Sequence, residues 1–217
     1  RTADFGILDC TTGVVFPALR DMNVSLEGVH VAFSAAVTGT GISFDSCMQL
    51  DFSLVGEVTY QGTGAAIQLK PTNAIPVDTM TVCTGSRFYV GGVATSGGTP
   101  TALFNVDVSV GSVLGNKFDI GELVGSGAVG SSALAATGFR VTGQTSSTAF
   151  YANTIDIYNI HDCTSTCVQE GTSATNQAQI GGNIYRIGQL EPKGTNAQGW
   201  NGFGVGSQII IGNIASA

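Results

Sequence analysis

A six-residue unit recurs along the whole chain and constrains what it can fold into more than any other feature. It reads Phe118-Asp-Ile-Gly-Glu-Leu123 and returns at Ile155–Ile160, Tyr185–Leu190 and Ile209–Ile214. Upstream it stands at Val24–Val29 and Phe88–Val93, and with one extra residue at Phe52–Val58. The seven copies start at positions 24, 52, 88, 118, 155, 185 and 209. Their first and third residues are apolar and the second usually is not, the pattern of a strand with one face in a core. A glycine often stands fourth, which suits a bend. Asn116, Asn153 and Asn183 each stand two places before their copy, and stacked asparagines can pair their side-chain amides.

A second unit alternates with the first. It reads Gly13–Phe16, Gly41–Phe44, Ala66–Leu69, Gly138–Val141, Cys167–Glu170 and Gly202–Val205, with a looser copy at Ala102–Val106. Fixed-order repeats on the order of 20–50 residues mark solenoids, propellers or arrays. Propeller blades need tight antiparallel hairpins, and Asn201-Gly202 is the sole Asn-Gly or Asp-Gly dipeptide in the chain. Short strands between bends and irregular loops therefore predict an all-β right-handed parallel β-helix of about seven rungs. The repeat runs nearly end to end, so residues 1–217 read as one domain, and as a fragment of a longer chain.

Composition narrows the function classes. Apolar residues make up 43% of the chain and charged ones 11%, enough for a continuous core under a Ser, Thr, Asn and Gln surface. The net charge of −7 offers no basic stripe for nucleic acid. No apolar run approaches the roughly 18 residues of a membrane span. Two histidines give little support to a metal site, and no cofactor motif is present. Of the five cysteines, Cys10, Cys47, Cys83 and Cys163 each follow a strand-like run and are expected in similar bends as buried thiols; a Cys163–Cys167 bridge is the alternative.

If coils stack about 4.8 Å apart, equivalent positions become columns. The second place then reads Ser25, Ser53, Tyr89, Asp119, Asp156, Arg186, Ile210. Asp119 and Asp156 should be neighbours on the outer face, with Arg186 one step further. His161 should neighbour Glu191, and the fifth place should align Glu122, Asn159, Gln189 and Asn213. Two adjacent carboxylates repel, so one is expected to hold its proton, as in glycoside hydrolysis; an Arg or His beside a carboxylate suits a lyase. Asp119, Asp156, Arg186, His161 and Glu191 are thus the catalytic candidates. Tyr151, Tyr158, Tyr185 and Trp200 are candidates for stacking on sugar rings. Glu122, Asn159 and Gln189 are candidates for holding hydroxyls.

The alternation of a Thr-Gly-apolar strand with an Asn-x-apolar-x-Ile strand resembles the pectin-lyase-like β-helix superfamily. It is most similar to the solenoid bodies of bacteriophage tailspikes and capsule depolymerases. Thr40-Gly-Ile-Ser-Phe-Asp-Ser-Cys47, Thr63-Gly-Ala-Ala-Ile-Gln-Leu69, Asn116-Lys-Phe-Asp-Ile120 and Asn153-Thr-Ile-Asp-Ile157 carry the resemblance. It implies a homotrimer, extracellular action and a polysaccharide ligand cut by a hydrolase or lyase. No catalytic residue transfers by motif. The alternative is a non-catalytic glycan-binding adhesin or structural fibre.

Overall fold

The computed structural model describes residues 5–10, 13–27, 29–35, 37–75, 79–95, 97–125, 135–171, 179–193, 197–202 and 204–215. The chain winds as a parallel β-helix. Each coil visits three sheets in turn, and every strand pair is parallel. The long sheet stacks Phe5–Cys10, Val29–Phe33, Asp51–Tyr60, Arg87–Thr95, Lys117–Val124, Thr154–Cys163, Ile184–Pro192 and Gln208–Ile214; Asn23–Leu26 pairs with the first half of Asp51–Tyr60. A second sheet runs from Val14–Phe16 through Ile42–Phe44, Ala65–Leu69, Ala102–Asp107, Thr137–Thr142 and Thr166–Glu170 to Gln198–Gly202. The third is built of two- and three-residue strands: Leu19–Arg20, Cys47–Met48, Val82–Thr84, Ser112–Leu114, Phe150–Tyr151 and Ile180–Gly181. Among the described residues no helix is long and apolar enough to cross a membrane.

The register of the long sheet follows the repeat. Val24, Phe52, Phe88, Phe118, Ile155, Tyr185 and Ile209 fall in one column. Ile120, Ile157, Ile187 and Ile211 fall in another; the first three are buried and Ile211 is partly covered. The extra residue of the second copy is a bulge between Leu54 and Glu57, opposite Gly91. Inside, aromatic rings continue from coil to coil. Phe16 stacks on Phe44 at 4.9 Å and Phe88 on Phe118 at 5.3 Å, while Phe44 meets Phe88 edge-on.

The amide stack forms at the corner leading into the long sheet. Asn116, Asn153 and Asn183 are all buried. Each Oδ1 accepts the backbone N–H one coil below: Ser86 to Asn116, Asn116 to Asn153 and Asn153 to Asn183, each at 2.9 Å. The stack ends on Glu170 Oε1, which takes Asn183 Nδ2 at 2.9 Å, Tyr185 OH at 3.0 Å and Ser207 Oγ at 2.7 Å. Burial, reinforced by that carboxylate, pushes the Tyr185 hydroxyl well above its ordinary range.

Four local expectations change. The last strand of the second sheet is Gln198–Gly202, not Gly202–Val205, a shift of three residues. Trp200 pairs with Val168, and its indole fills the inner column edge-on to Tyr185 at 4.8 Å; Phe203 lies outside the described residues. Phe150 and Tyr151 belong to a third-sheet strand rather than an excursion, and Phe150 is fully buried. The cysteines do not share one kind of bend: Cys47 and Cys83 sit in register in the third sheet and form a disulfide, while Cys163 ends a long-sheet strand. Cys163 and Cys167 are free and buried rather than bridged. The long sheet also gains a further strand, Phe5–Cys10, against Val29–Phe33.

Candidate functional site

The outer face of the long sheet carries the predicted columns. Tyr89, Asp119, Asp156, Arg186 and Ile210 follow one another on successive coils, and so do Glu57, Gly92, Glu122, Asn159, Gln189 and Asn213. Between the two lies the bend column: Gly91, Gly121, Tyr158, Gly188 and Gly212. A Cβ on Gly121 would run into the carbonyl of Gly91, and one on Gly188 into that of Tyr158. Glycine is needed at these two positions because the coils approach backbone to backbone there. The result is a trench along the solenoid axis with bare backbone for its floor. Tyr158 stands in it alone, 78% exposed.

Around Tyr158 the trench forms an open groove of about 510 Å³, walled by Tyr89, Asp119, Asp156, Arg186 and Ile210. A second groove of about 500 Å³ lies toward the N-terminal coils and shares Tyr89; Glu57 and Glu122 line it across Gly92. The sequence reading omitted Tyr89 and Glu57. Tyr89 was visible in the second-place column; Glu57 was hidden by the bulge, which displaces it by one position.

Asp119 and Asp156 are neighbours in register, as predicted. They do not face each other uncompensated. Asp119 Oδ2 receives Arg87 at 2.9 Å and Oδ1 receives Lys117 Nζ at 2.9 Å. Lys117 also lies 3.8 Å from Asp156 Oδ2, and Arg186 Nη1 lies 3.0 Å from Asp156 Oδ1. Lys117 bridges the two carboxylates, and Arg87 and Arg186 flank them, each pairing with one. This arrangement suits a fixed, ionic wall better than an acid and base poised to exchange a proton.

His161 and Glu191 are neighbours in register, as predicted, and their side chains turn to different partners. His161 Nε2 meets Glu122 Oε1 and its Nδ1 meets Asp162 Oδ2, both at 3.2 Å. Glu191 Oε2 instead accepts Gln189 Nε2 at 3.2 Å. Asn159 Nδ2 also donates to Glu122 Oε1, at 3.2 Å. Asp162 is held in turn by Lys193 at 3.3 Å. The amide and carboxylate flank of the trench is therefore a connected network.

The aromatic candidates separate. Tyr158 lies in the trench. Tyr151 is half exposed but on the third sheet, its ring lying over Gly181 and Gly182. Tyr185 is completely buried and serves the core; Trp200 is partly buried and packs edge-on against it. Among the described residues no group of three or more His, Cys, Asp or Glu side chains is placed to hold a metal. The chain matches no protein-family model, no curated protein and no solved structure.

Proposed function

We propose that the protein is an extracellular polysaccharide-binding β-helix whose contact surface is the Tyr158 trench. One observation carries this reading: a solvent-facing tyrosine in a backbone-floored trench, between an ionic column and an amide column. A sugar ring offers a flat C–H face to the tyrosine and hydroxyls to the flanks. The ring would rest on Tyr158, with Arg186 and Asp156 on one side and Asn159, Gln189 and Glu122 on the other. The Cys47–Cys83 disulfide favours an oxidising compartment, which supports action outside the cell. The tailspike-like repeat motivates a three-chain assembly as a further part of the proposal, checked by light scattering of the purified chain.

Cleavage of the bound glycan, by hydrolysis or elimination, is the second reading, and the adjacency of Asp119 and Asp156 favours it. The interleaved cations favour pure binding. Capsular and cell-wall polysaccharides tested by affinity electrophoresis decide the first question: retardation that is lost in Tyr158→Ala is expected, and no retardation by any glycan would sink the binding reading. Release of reducing ends or unsaturated uronates, abolished in Asp119→Asn with Asp156→Asn, would move the assignment to a depolymerase.

A further inference from the structure

One outer strand of the long sheet carries a motif that the trench does not use. Asn23-Val-Ser25 is an Asn-x-Ser sequence, and no other asparagine in the chain has Ser or Thr two places on. It opens the strand Asn23–Leu26, whose residues alternate outward and inward. Val24 and Leu26 pack against the core. Asn23 and Ser25 are exposed, so strand alternation sets the amide and the hydroxyl on the same outer face. Ser25 Oγ meets Glu27 Oε1 at 3.4 Å, an exposed contact that is long for a hydrogen bond. On one side the strand pairs with Asp51–Tyr60, and Asn23 stands opposite Asp51. Among the described residues no strand pairs with its other edge.

We infer that Asn23 is the acceptor of an N-linked glycan. Asn-x-Ser is the acceptor pattern, and it needs a surface position in a chain that passes through a secretory compartment. The Cys47–Cys83 disulfide is an independent sign of such a compartment. In the transfer, Asn23 Nδ2 bonds to the anomeric carbon of an oligosaccharide carried on a polyprenyl diphosphate. The bond from that carbon to the diphosphate oxygen breaks, the diphosphate leaves with the electron pair, and the amide gives up one proton. Nothing is oxidised or reduced. Ser25 supplies the hydroxyl by which the acceptor is recognised. The attached carbohydrate then stands beside the unpaired edge of Asn23–Leu26, where its bulk obstructs the addition of a foreign strand. Asn23 heads the column of Asp51, Arg87 and Lys117, two coils before Arg87 and outside the walls of the Tyr158 groove.

The test is peptide mapping of the whole chain, secreted from eukaryotic cells and purified from the medium. After reduction and trypsin, Asn23 falls in the peptide that follows Arg20 and, since Pro71 blocks cleavage after Lys70, ends at Arg87. That peptide is expected to carry an adduct of hexose and N-acetylhexosamine. Peptide N-glycosidase in heavy-oxygen water is expected to remove the adduct and leave a labelled aspartate at position 23, located by fragmentation. Asn23→Gln and Ser25→Ala are each expected to give the bare peptide; Ser25→Ala keeps the acceptor amide and so reports recognition alone. A bare peptide from the secreted native chain, or an adduct that persists in Asn23→Gln, would overturn the inference.

Discussion

Asn153 Oδ1 accepts two hydrogen bonds from Asn116, one from its backbone N–H at 2.9 Å and one from its Nδ2 at 3.2 Å. Asn153 Nδ2 donates in turn to the Val113 carbonyl at 3.0 Å and to Asn183 Oδ1 at 3.1 Å. One buried side chain thus satisfies groups on the coils to either side of its own. Truncation to alanine strands the Asn116 N–H and the Val113 carbonyl away from water. Asn153→Ala is expected to cost about 3 kcal/mol, since each stranded buried group costs about 1–3 kcal/mol. Denaturant unfolding checks it: the midpoint should fall at constant slope, and an unchanged midpoint would contradict the role given to the stack.

Tyr158 shows the opposite balance. Its ring is 78% exposed and buries little apolar area, so Tyr158→Ala should leave stability within about 0.5 kcal/mol of wild type. Glycan affinity should drop about tenfold, the loss of roughly 1.4 kcal/mol of ring contact. Tyr158→Phe should keep most of the affinity. A loss of stability in place of affinity would make the residue structural.

Glu170 occupies an inward column otherwise filled by Phe16, Phe44, Leu69, Val106 and Val141. Three donors converge on its Oε1, from Asn183, Tyr185 and Ser207. Glu170→Ala removes the acceptor of all three and is expected to cost on the order of 3–5 kcal/mol. Glu170→Gln keeps an acceptor and should cost less. Equal loss in the two variants, read from thermal midpoints, would show that volume and not hydrogen bonding matters there.

Asp45 gives a pH dependence with a definite sign. Burial pushes its carboxyl up, but hydrogen bonds from Asn73, Thr72 and Ser46 outweigh it, and the net shift is downward. The backbone N–H groups of Thr72 and Asn73 reach Oδ1 at 2.7 and 2.9 Å. A carboxylate whose folded pKa is depressed stabilises the fold above its unfolded value of about 3.9, and that stability is lost as pH falls through the folded value. The amide shifts of Thr72 and Asn73 should therefore titrate together, with a midpoint below about 3.9. A midpoint above that value would refute the clamp.

The columns were legible because a solenoid turns sequence repetition into spatial adjacency. Asp119 beside Asp156 and the asparagine stack both follow from counting along the six-residue unit. What lay between the copies was harder to read. Third-sheet strands such as Phe150–Tyr151 hold two or three residues, too few to show a period. The Cys47–Cys83 pairing depended on that unseen sheet. Trp200 was misplaced because Gly202-Phe-Gly-Val205 copies the local motif, whereas filling the inner column selects the larger ring three residues earlier. Cations were missed as partners because Arg87 and Lys117 stand just before their copies, in a column the repeat did not define. Tyr185 heads its copy, and the first-place rule that buries Phe118 buries it as well.

The covalent tie between Cys47 and Cys83 has a mechanical consequence. A stacked solenoid touches only its nearest layers, so under tension it can unspool from an end, one layer at a time. The tie spans 36 positions of sequence and fastens two successive layers. A pull on the ends therefore cannot pay out that stretch, and roughly 120 Å of contour stays locked in until a reductant releases it.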